Sequence, residues 1–174
     1  MELKDAIQLI DGLGNKKQPE TWADLGCGSG LFTHALAHLL PSASVIYAVD
    51  KSPAPLDSLP NPQQITIQKI QLDFVKEPLG IRALDGILMA NALHFVQDKI
   101  SFLTRLRQSI QPGGSLLFVE YDTDRSNPWV PYPIGFKNLK TLLGNMAAVR
   151  ITKLGERPSL YQKGNMYAVL VTIN

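Results

Sequence analysis

The amino-acid sequence predicts an α/β protein with a doubly wound, mostly parallel seven-stranded sheet, an antiparallel edge strand and helices on both faces. Two observations support this prediction. Short apolar segments alternate with stretches of helical periodicity over residues 3–120, which is the pattern of βαβ units in a parallel sheet. Two further strand-like segments follow, and they predict an antiparallel pair at one edge. With 174 residues, the chain 1–174 has the length of a single domain.

The first half of the sequence supplies two predicted helices and three predicted strands. Residues 3–12 carry apolar residues at helical spacing, and glycines end this helix. The following elements are a strand over 21–25, a helix over 31–40, and strands over 45–49 and 65–72. Residues 52–62 contain four prolines, which predict irregular chain with one helical turn near Leu56.

The second half begins with a predicted strand over 85–90 and a helix over 98–110. The apolar residues on one face of that helix are Ile100, Leu103, Leu106 and Ile110. A Pro-Gly-Gly turn over 112–114 then leads into a strand. The remaining elements are this strand over 115–120, a helix over 136–143, and the antiparallel pair over 147–153 and 166–173.

Composition restricts the class of protein. Lys and Arg number 17 against 15 Asp and Glu, and the net charge of +2 argues neither for nor against a nucleic-acid partner. The single cysteine, Cys27, can form neither an internal disulfide nor a metal cluster by itself. The sequence has no signal-peptide pattern and no apolar run near the roughly 18 residues that cross a bilayer. These features predict a cytoplasmic protein without a membrane span or a metal site.

The most informative segment is the glycine-rich turn over 26–30, between the first predicted strand and the second predicted helix. Glycines permit a sharp turn and close approach of a ligand, and a helix N-terminus favours polar or anionic groups. Asp50 ends the second strand, 22 residues after Gly28, where a carboxylate can accept hydrogen bonds from a ribose. The arrangement fits a nicotinamide dinucleotide or S-adenosylmethionine. Leu31, in the place of the third dinucleotide-binding glycine, and Asp24 before the turn both argue against the dinucleotide.

The segment Asp24-Leu25-Gly26-Cys27-Gly28-Ser29-Gly30 resembles the cofactor-binding turn of class I S-adenosylmethionine-dependent methyltransferases. The resemblance extends over residues 20–120. Its further segments are Val49-Asp50-Lys51-Ser52, Gln71-Leu72-Asp73-Phe74, the stretch 85–94 and Leu116-Leu117-Phe118-Val119-Glu120. The stretch 85–94 lacks a Pro-Pro-aromatic run and looks more like the corresponding segment of family members that act on small molecules. The resemblance implies methyl transfer from S-adenosylmethionine to a small-molecule acceptor, with nucleic-acid or protein acceptors as open alternatives.

The resemblance also implies roles for individual residues. Gly26 and Gly28 would approach the methionine part of the cofactor, and Asp24 would meet its amino group. Asp50 would bind the ribose hydroxyls, and Asp73 would accept a hydrogen bond from the adenine amine. The predicted cofactor-binding residues are Asp24, Gly26, Cys27, Gly28, Asp50, Lys51, Leu72, Asp73, Phe74 and Asn91, of which Asn91 would lie beside the methyl-transfer site.

His94 is the candidate general base, because it follows a strand end near the expected crevice; the alternative is a histidine that caps or packs under the next helix. Three aromatic residues are candidate acceptor contacts, with ordinary loop or anchoring roles as the alternative. They are Tyr121, Trp129 and Tyr132.

Two other residue types carry weaker signals. His34 and His38 have a spacing that can hold a metal, but no third ligand is evident, and a solvated helix face is the preferred interpretation. Cys27 lies at a helix N-terminus, which lowers a thiol pKa, but it is interpreted as a small residue that fits the turn.

The sequence leaves two other functions open. A nicotinamide-dependent oxidoreductase is disfavoured by Leu31 and by the absence of a Tyr-x-x-x-Lys pair. A non-catalytic cofactor-binding or assembly module with the same fold is the second alternative. The oligomeric state does not follow from the sequence.

Overall fold

The structure is a computed structural model that describes residues 1–14, 17–52, 54–56, 60–146, 149–159 and 164–173. The strands are β1 (Thr21–Leu25), β2 (Val45–Asp50), β3 (Thr66–Gln71), β4 (Leu84–Ala90), β5 (Ile110–Tyr121), β6 (Val149–Pro158) and β7 (Asn165–Ile173). The helices are α1 (Leu3–Ile10), α2 (Leu31–Leu39), α3 (Lys99–Arg107) and α4 (Phe136–Gly144), with a single 3-10 turn at Leu93–Phe95.

All seven strands form one sheet in the order β3-β2-β1-β4-β5-β7-β6. Strands β1 to β5 are parallel, and β7 runs antiparallel to both of its neighbours, β5 and β6. The predicted doubly wound sheet with an antiparallel pair at one edge is therefore confirmed. The chain moves outward from β1 to β3 and then returns to β4 on the other side of β1. In such sheets the ligand crevice lies at this reversal, outside the carboxyl ends of the strands.

Helices cover both faces of the sheet, as predicted. On one face α1 and α2 bury Leu9 and Leu36 against Ile46 and Leu88. On the other face α3 and α4 bury Leu103 and Leu139 against a second apolar cluster. Each parallel strand in the middle of the sheet is therefore apolar on both sides, which explains the continuous apolar segments in the sequence.

The region around α3 differs from the prediction in two ways. The helix ends at Arg107 and β5 begins at Ile110, so the predicted turn over 112–114 lies inside β5. Ile110 pairs with Leu84 and Ser115 with Gly86, so the intervening residues form a bulge that keeps the ladder intact on both sides. Ile100, predicted on the buried face, is 68% exposed.

The buried place near Ile100 is taken by its neighbour Lys99, which is only 8% exposed. Its ammonium donates to the carbonyl oxygens of Val96 and Tyr132, each at 2.7 Å. These two hydrogen bonds satisfy a charge that would otherwise be costly to bury.

The other predicted elements are confirmed within one or two residues, apart from β6, which extends from Val149 to Pro158. Residues 147 and 148, where that strand was predicted to begin, lie outside the described residues, as do 53 and 57–59 of the proline-rich segment. The described residues of 52–62 are irregular. Among the described helices none is both long and apolar enough to cross a membrane.

Candidate functional site

A cavity of about 510 Å³ opens at the carboxyl ends of the parallel strands. The described residues that line it include eight of the predicted cofactor residues: Gly26, Gly28, Asp50, Lys51, Leu72, Asp73, Phe74 and Asn91. Sequence reasoning missed four other lining residues, which are Val75, Lys76, Ala92 and Phe95. Only their position in the sequence could have indicated them, because each lies within four residues of a predicted site residue at a strand end.

The glycine turn is shaped by the backbone of β2. The amides of Gly26 and Cys27 donate to the carbonyl oxygen of Val49, at 2.7 and 3.2 Å. Gly26 has φ +81°, and a Cβ there would lie 2.8 Å from that of Ala92. Glycine is therefore required, because a side chain would be strained and would collide. Gly28 instead borders the cavity, and a Cβ on it would meet nothing within 4 Å.

Asp50 joins the turn to the end of β2. Its Oδ2 accepts from the amide of Gly28 at 3.0 Å, and its Oδ1 accepts from the amide of Ser52 at 2.8 Å. A carboxylate oxygen can accept two hydrogen bonds, so each oxygen can accept one more, and Asp50 lines the cavity. Asp50 therefore both fixes the turn and offers acceptors for a ligand.

Asp24 lies in β1 just before the turn, is 1% exposed and is not one of the described cavity-lining residues. Its Oδ2 accepts a hydrogen bond of 2.6 Å from the hydroxyl of Thr33, but its Oδ1 is buried and has no partner among the described residues. Burial raises the pKa of Asp24 to about 7; the Thr33 hydrogen bond opposes this shift, and the Asp50 charge adds to it. An unpaired buried carboxyl oxygen is costly unless a ligand supplies a donor.

Asn91 follows β4, the strand next to β1. Its φ of +52° is a left-handed conformation that few residues other than glycine adopt, and its amide donates to Val119 at 2.8 Å. Its side-chain Oδ1 is also buried without a described partner. Two unpaired acceptor oxygens, of Asp24 and Asn91, thus lie at the carboxyl ends of adjacent strands. Such strained and unpaired groups are typical of ligand-binding sites.

The opposite wall of the cavity is formed by residues that follow β3. Asp73 Oδ1 accepts from the amide of Val75 at 3.2 Å, and Oδ2 lies 3.4 Å from the ammonium of Lys76. The Lys76 side chain is 80% exposed, so this ion pair is weak and a ligand can replace it. The ring of Phe74 packs at 6.0 Å from that of Phe102, which fixes its position against the cavity.

Cys27 packs against Ala48 and Leu56 and is not one of the described cavity-lining residues. Burial raises the pKa of its thiol to about 12, and the carboxylates of Asp24 and Asp50 add to this shift. The expectation of a lowered thiol pKa is therefore wrong, because desolvation and two negative charges outweigh the helix N-terminus. The interpretation of Cys27 as a small residue that fits the turn agrees with this packing.

His94 is 3% exposed, and its ring is not among the described side chains that line the cavity. Its Nδ1 lies 2.7 Å from Oε2 of Glu120, and Oε1 of Glu120 accepts from the amides of Leu93 and His94 at 2.8 and 3.2 Å. The carboxylate thus holds both the imidazole and the 3-10 turn. Sequence reasoning missed Glu120 as a partner, because the contact joins residues 26 positions apart.

The three predicted acceptor contacts lie outside the set of described cavity-lining residues. Tyr121 places its ring 6.1 Å from that of His94. Trp129 and Tyr132 are 82% and 39% exposed. The aromatic side chain that does line the cavity on this side is Phe95.

His34 is not part of a solvated face, so that interpretation is wrong. It is buried, with Nε2 at 2.6 Å from the Leu56 carbonyl oxygen and Nδ1 at 3.3 Å from that of Pro60. It therefore anchors the segment after β2 to α2. Nδ1 of His38 lies 2.9 Å from the His34 carbonyl oxygen. Within the described ranges, no three His, Cys, Asp or Glu residues form a group that could hold a metal.

Comparison with known proteins gives matches in sequence. A family model described as a methyltransferase domain matches residues 23–116. Trans-aconitate 2-methyltransferase of Pseudomonas aeruginosa is 33% identical over 114 residues, covering 65% of this chain and 40% of that protein. Methyltransferase str2 of Strobilurus tenacellus is 34% identical over 107 residues, covering 60% and 37%. The chain therefore spans about 40% of the length of the curated relatives it matches.

Solved structures match over almost the whole chain. A 1,6-didemethyltoxoflavin-N1-methyltransferase of Burkholderia thailandensis, solved with 1,6-didemethyltoxoflavin and S-adenosylhomocysteine, gives a TM-score of 0.71 at 18% identity. The match covers 99% of this chain and 78% of that one. A SAM-dependent methyltransferase of Aquifex aeolicus gives 0.65 at 18% identity and covers 100% of both chains. At these identities the likeness shows a common fold.

Proposed function

Because the chain belongs to the methyltransferase-domain family, we propose that it is an S-adenosylmethionine-dependent methyltransferase that acts on a small molecule. The observation that carries this proposal is the pair of unpaired buried oxygens, of Asp24 and Asn91, beside an open glycine turn. A ligand with a cationic amine next to a ribose and a base meets these requirements.

The methionine part of the cofactor fits the glycine turn. Open space above Gly28 allows close approach of the ligand to the backbone. The amino group, which is cationic, would supply the missing donor to Oδ1 of Asp24, directly or through a water. Its positive charge would also stabilise the ionised carboxyl in its buried position.

The adenosine part fits the side of the cavity formed by β2 and β3. Asp50 keeps one lone pair on each oxygen for the ribose hydroxyls. Asp73 would accept from the adenine amine, with Leu72 and Phe74 against the ring. Lys51 contributes to the rim of the same wall, and Cys27 supports the turn from behind.

Asn91 would lie beside the transferred methyl group. The cofactor supplies an activated methyl on a sulfonium, and the protein aligns the acceptor for in-line displacement. His94 would serve as the base if the acceptor must lose a proton. Its Nδ1 is held by Glu120, which leaves Nε2 for that role. Tyr121, Trp129 and Tyr132 would contact the acceptor outside the cavity.

The remaining predictions form part of the same proposal. Residues 1–174 would act as a single domain, in the cytoplasm, on a dissolved small molecule. Names of the relatives support the acceptor class, since both trans-aconitate and 1,6-didemethyltoxoflavin are small molecules. Leu31, in the place of the third dinucleotide-binding glycine, argues against a nicotinamide dinucleotide in this site.

The test is isothermal titration of the protein with S-adenosylhomocysteine, the product of methyl transfer. Saturable binding at one site per chain is expected, and NADH should give no heat. Asp50→Asn keeps one carbonyl oxygen for the turn but removes the charge, and it should weaken binding. Lys140→Gln, an exposed change on α4, is the matched control. If folded protein does not bind S-adenosylhomocysteine, the proposal is wrong; if it binds but no acceptor is ever methylated, the non-catalytic module is correct.

A further inference from the structure

Three aromatic side chains, Phe95, Trp129 and Tyr132, are exposed on two segments that hydrogen bonds join, and they are named here the aromatic shelf. Their exposed fractions are 51%, 82% and 39%. Phe95 also lines the cavity, so the shelf is continuous with the cofactor site. With Ile100, these residues are the large apolar side chains that stand exposed in the described part of the chain. Exposed large apolar side chains gathered in one region mark a binding surface.

The two segments that carry the shelf are joined by hydrogen bonds. The amide of Tyr132 donates to the carbonyl oxygen of His94 at 3.0 Å. The Lys99 ammonium links the carbonyl oxygens of Val96 and Tyr132, and it lies 6.0 Å from the centre of the Tyr132 ring. These bonds hold the backbone on both sides of Phe95 and at Tyr132 in a fixed relation, so a ligand would meet side chains on a preorganised backbone.

Trp129 is fixed in a similar way. Its amide donates to Oδ1 of Asn127 at 2.9 Å, and Asn127 forms a two-way backbone pair with Val130. Val130 is buried, which ties this turn to the protein core. A tryptophan that is 82% exposed on an anchored turn offers a large apolar area without much loss of freedom on binding.

Charged groups on the same segments are committed to internal contacts. The ammonium of Lys99 donates to two carbonyl oxygens, and the imidazole of His94 is hydrogen-bonded to Glu120. Asp122 and Asp124 accept from the amides at the start of α4, at 2.8 Å each. Arg125 is the other cation of residues 91–100 and 121–135, and it lies on the surface. On these segments the shelf therefore presents aromatic rings, while the buried Lys99 is bound to carbonyl oxygens and Arg125 is exposed to water.

We infer that the aromatic shelf binds the methyl acceptor through a planar, apolar group. This inference rests on the proposed function, and it narrows the acceptor class from small molecules in general to those with an aromatic or conjugated ring system. Flat ring systems stack on aromatic side chains in offset or edge-to-face geometry and bury a large area. Polycarboxylate acceptors would find exposed cations such as Arg125 and Lys76, whose ion pairs in water are weak.

The test uses protein saturated with S-adenosylhomocysteine and three probes: 2-naphthol, its saturated analogue decahydro-2-naphthol, and propane-1,2,3-tricarboxylate. Titration calorimetry should detect 2-naphthol binding, with decahydro-2-naphthol weaker and the tricarboxylate absent. Phe95→Ala and Trp129→Ala should each weaken 2-naphthol binding about tenfold. Ile100→Ala is the matched control, because it removes an equally exposed apolar side chain outside the shelf. All three positions are exposed, so circular dichroism should report unchanged folding.

The outcomes separate this inference from the proposed function. If S-adenosylhomocysteine fails to bind, the proposed function is wrong, and the inference that the shelf binds a methyl acceptor is overturned with it. If it binds but 2-naphthol does not, or Ile100→Ala weakens 2-naphthol as much as Trp129→Ala, the shelf inference alone is overturned. Tighter binding of the tricarboxylate, or self-association of the protein that Trp129→Ala abolishes, would also overturn it.

Discussion

Replacing Asp24 with asparagine should change how the stability of the protein depends on pH. Burial raises the pKa of Asp24 from 3.8 to about 7 in the folded protein. The folded state therefore binds a proton more tightly than the unfolded state, and the unfolding free energy falls as pH rises between these two values. At about 1.4 kcal/mol per pKa unit, the loss reaches up to about 4 kcal/mol by pH 8. Asparagine at this position carries no such dependence.

The assay is urea denaturation of the ligand-free parent and of Asp24→Asn at pH 5 and pH 8. Other groups titrate equally in both proteins, so the difference between parent and variant isolates Asp24. An unpaired amide in the variant adds a constant cost of about 1–3 kcal/mol, which cancels when the two pH values are compared. The variant should gain stability relative to the parent at pH 8. Equal pH dependence in the two proteins would refute the buried, unpaired carboxyl.

Ligand binding should report the same proton. At pH 6 the free protein holds Asp24 mostly neutral, and the proposed contact with a cationic amine would ionise it. Binding of S-adenosylhomocysteine should therefore release close to one proton, measured by calorimetry in buffers of different ionisation enthalpy. Asp24→Asn should abolish this release and weaken binding by about 10- to 100-fold, the value of a charged hydrogen bond. Asp73→Asn, which changes a half-buried carboxylate on the opposite wall, should leave the proton release unchanged.

Three further predictions concern the scaffold of the site. Gly26→Ala brings a Cβ to 2.8 Å from that of Ala92 at positive φ, so it should cost about 1–3 kcal/mol of stability and abolish S-adenosylhomocysteine binding. Gly28→Ala meets open space, so it should cost about 1 kcal/mol and mainly weaken binding. Denaturation measures the stability of each variant, and calorimetry measures its binding. Glu120→Gln should lose about 2–4 kcal/mol of stability and shift the His94 side-chain signals in NMR spectra. Lys99→Met should leave two carbonyl oxygens unpaired, lower the denaturation midpoint and change Trp129 fluorescence. Unchanged emission would contradict this prediction.

The sequence predicts the fold well, and eight of the residues that it singles out line the cavity, because strands and the glycine turn follow from local patterns. The spacing of Gly26, Gly28 and Asp50 is fixed by one strand-turn-helix unit and its neighbouring strand, and the turn is shaped by backbone hydrogen bonds. The predicted boundaries of an element are wrong where a contact between residues distant in sequence decides them. The strand β5 absorbs the predicted turn over 112–114 because its pairing with β4 continues on both sides of the bulge.

Side-chain environments are the part that periodicity does not predict. Lys99 rather than Ile100 is buried on α3, because two carbonyl oxygens from separate segments bind its ammonium. His34 is buried because the carbonyls of the segment after β2 face its ring nitrogens. In each case the partner lies in irregular chain, whose position no apolar pattern encodes.

The two sides of the proposed site should tolerate substitutions differently. On the proposed cofactor side, Gly26 and Asp50 also hold the turn together, so a substitution of either residue should lose structure and binding at once. On the acceptor side, Phe95 and Trp129 are exposed and contribute little to the core, while Lys99 and Glu120 behind them hold the segments in place. Shelf residues can therefore be exchanged at small cost in stability. Acceptor preference should accordingly respond to substitution of Trp129, which is not among the described cavity-lining residues, while S-adenosylhomocysteine affinity stays unchanged.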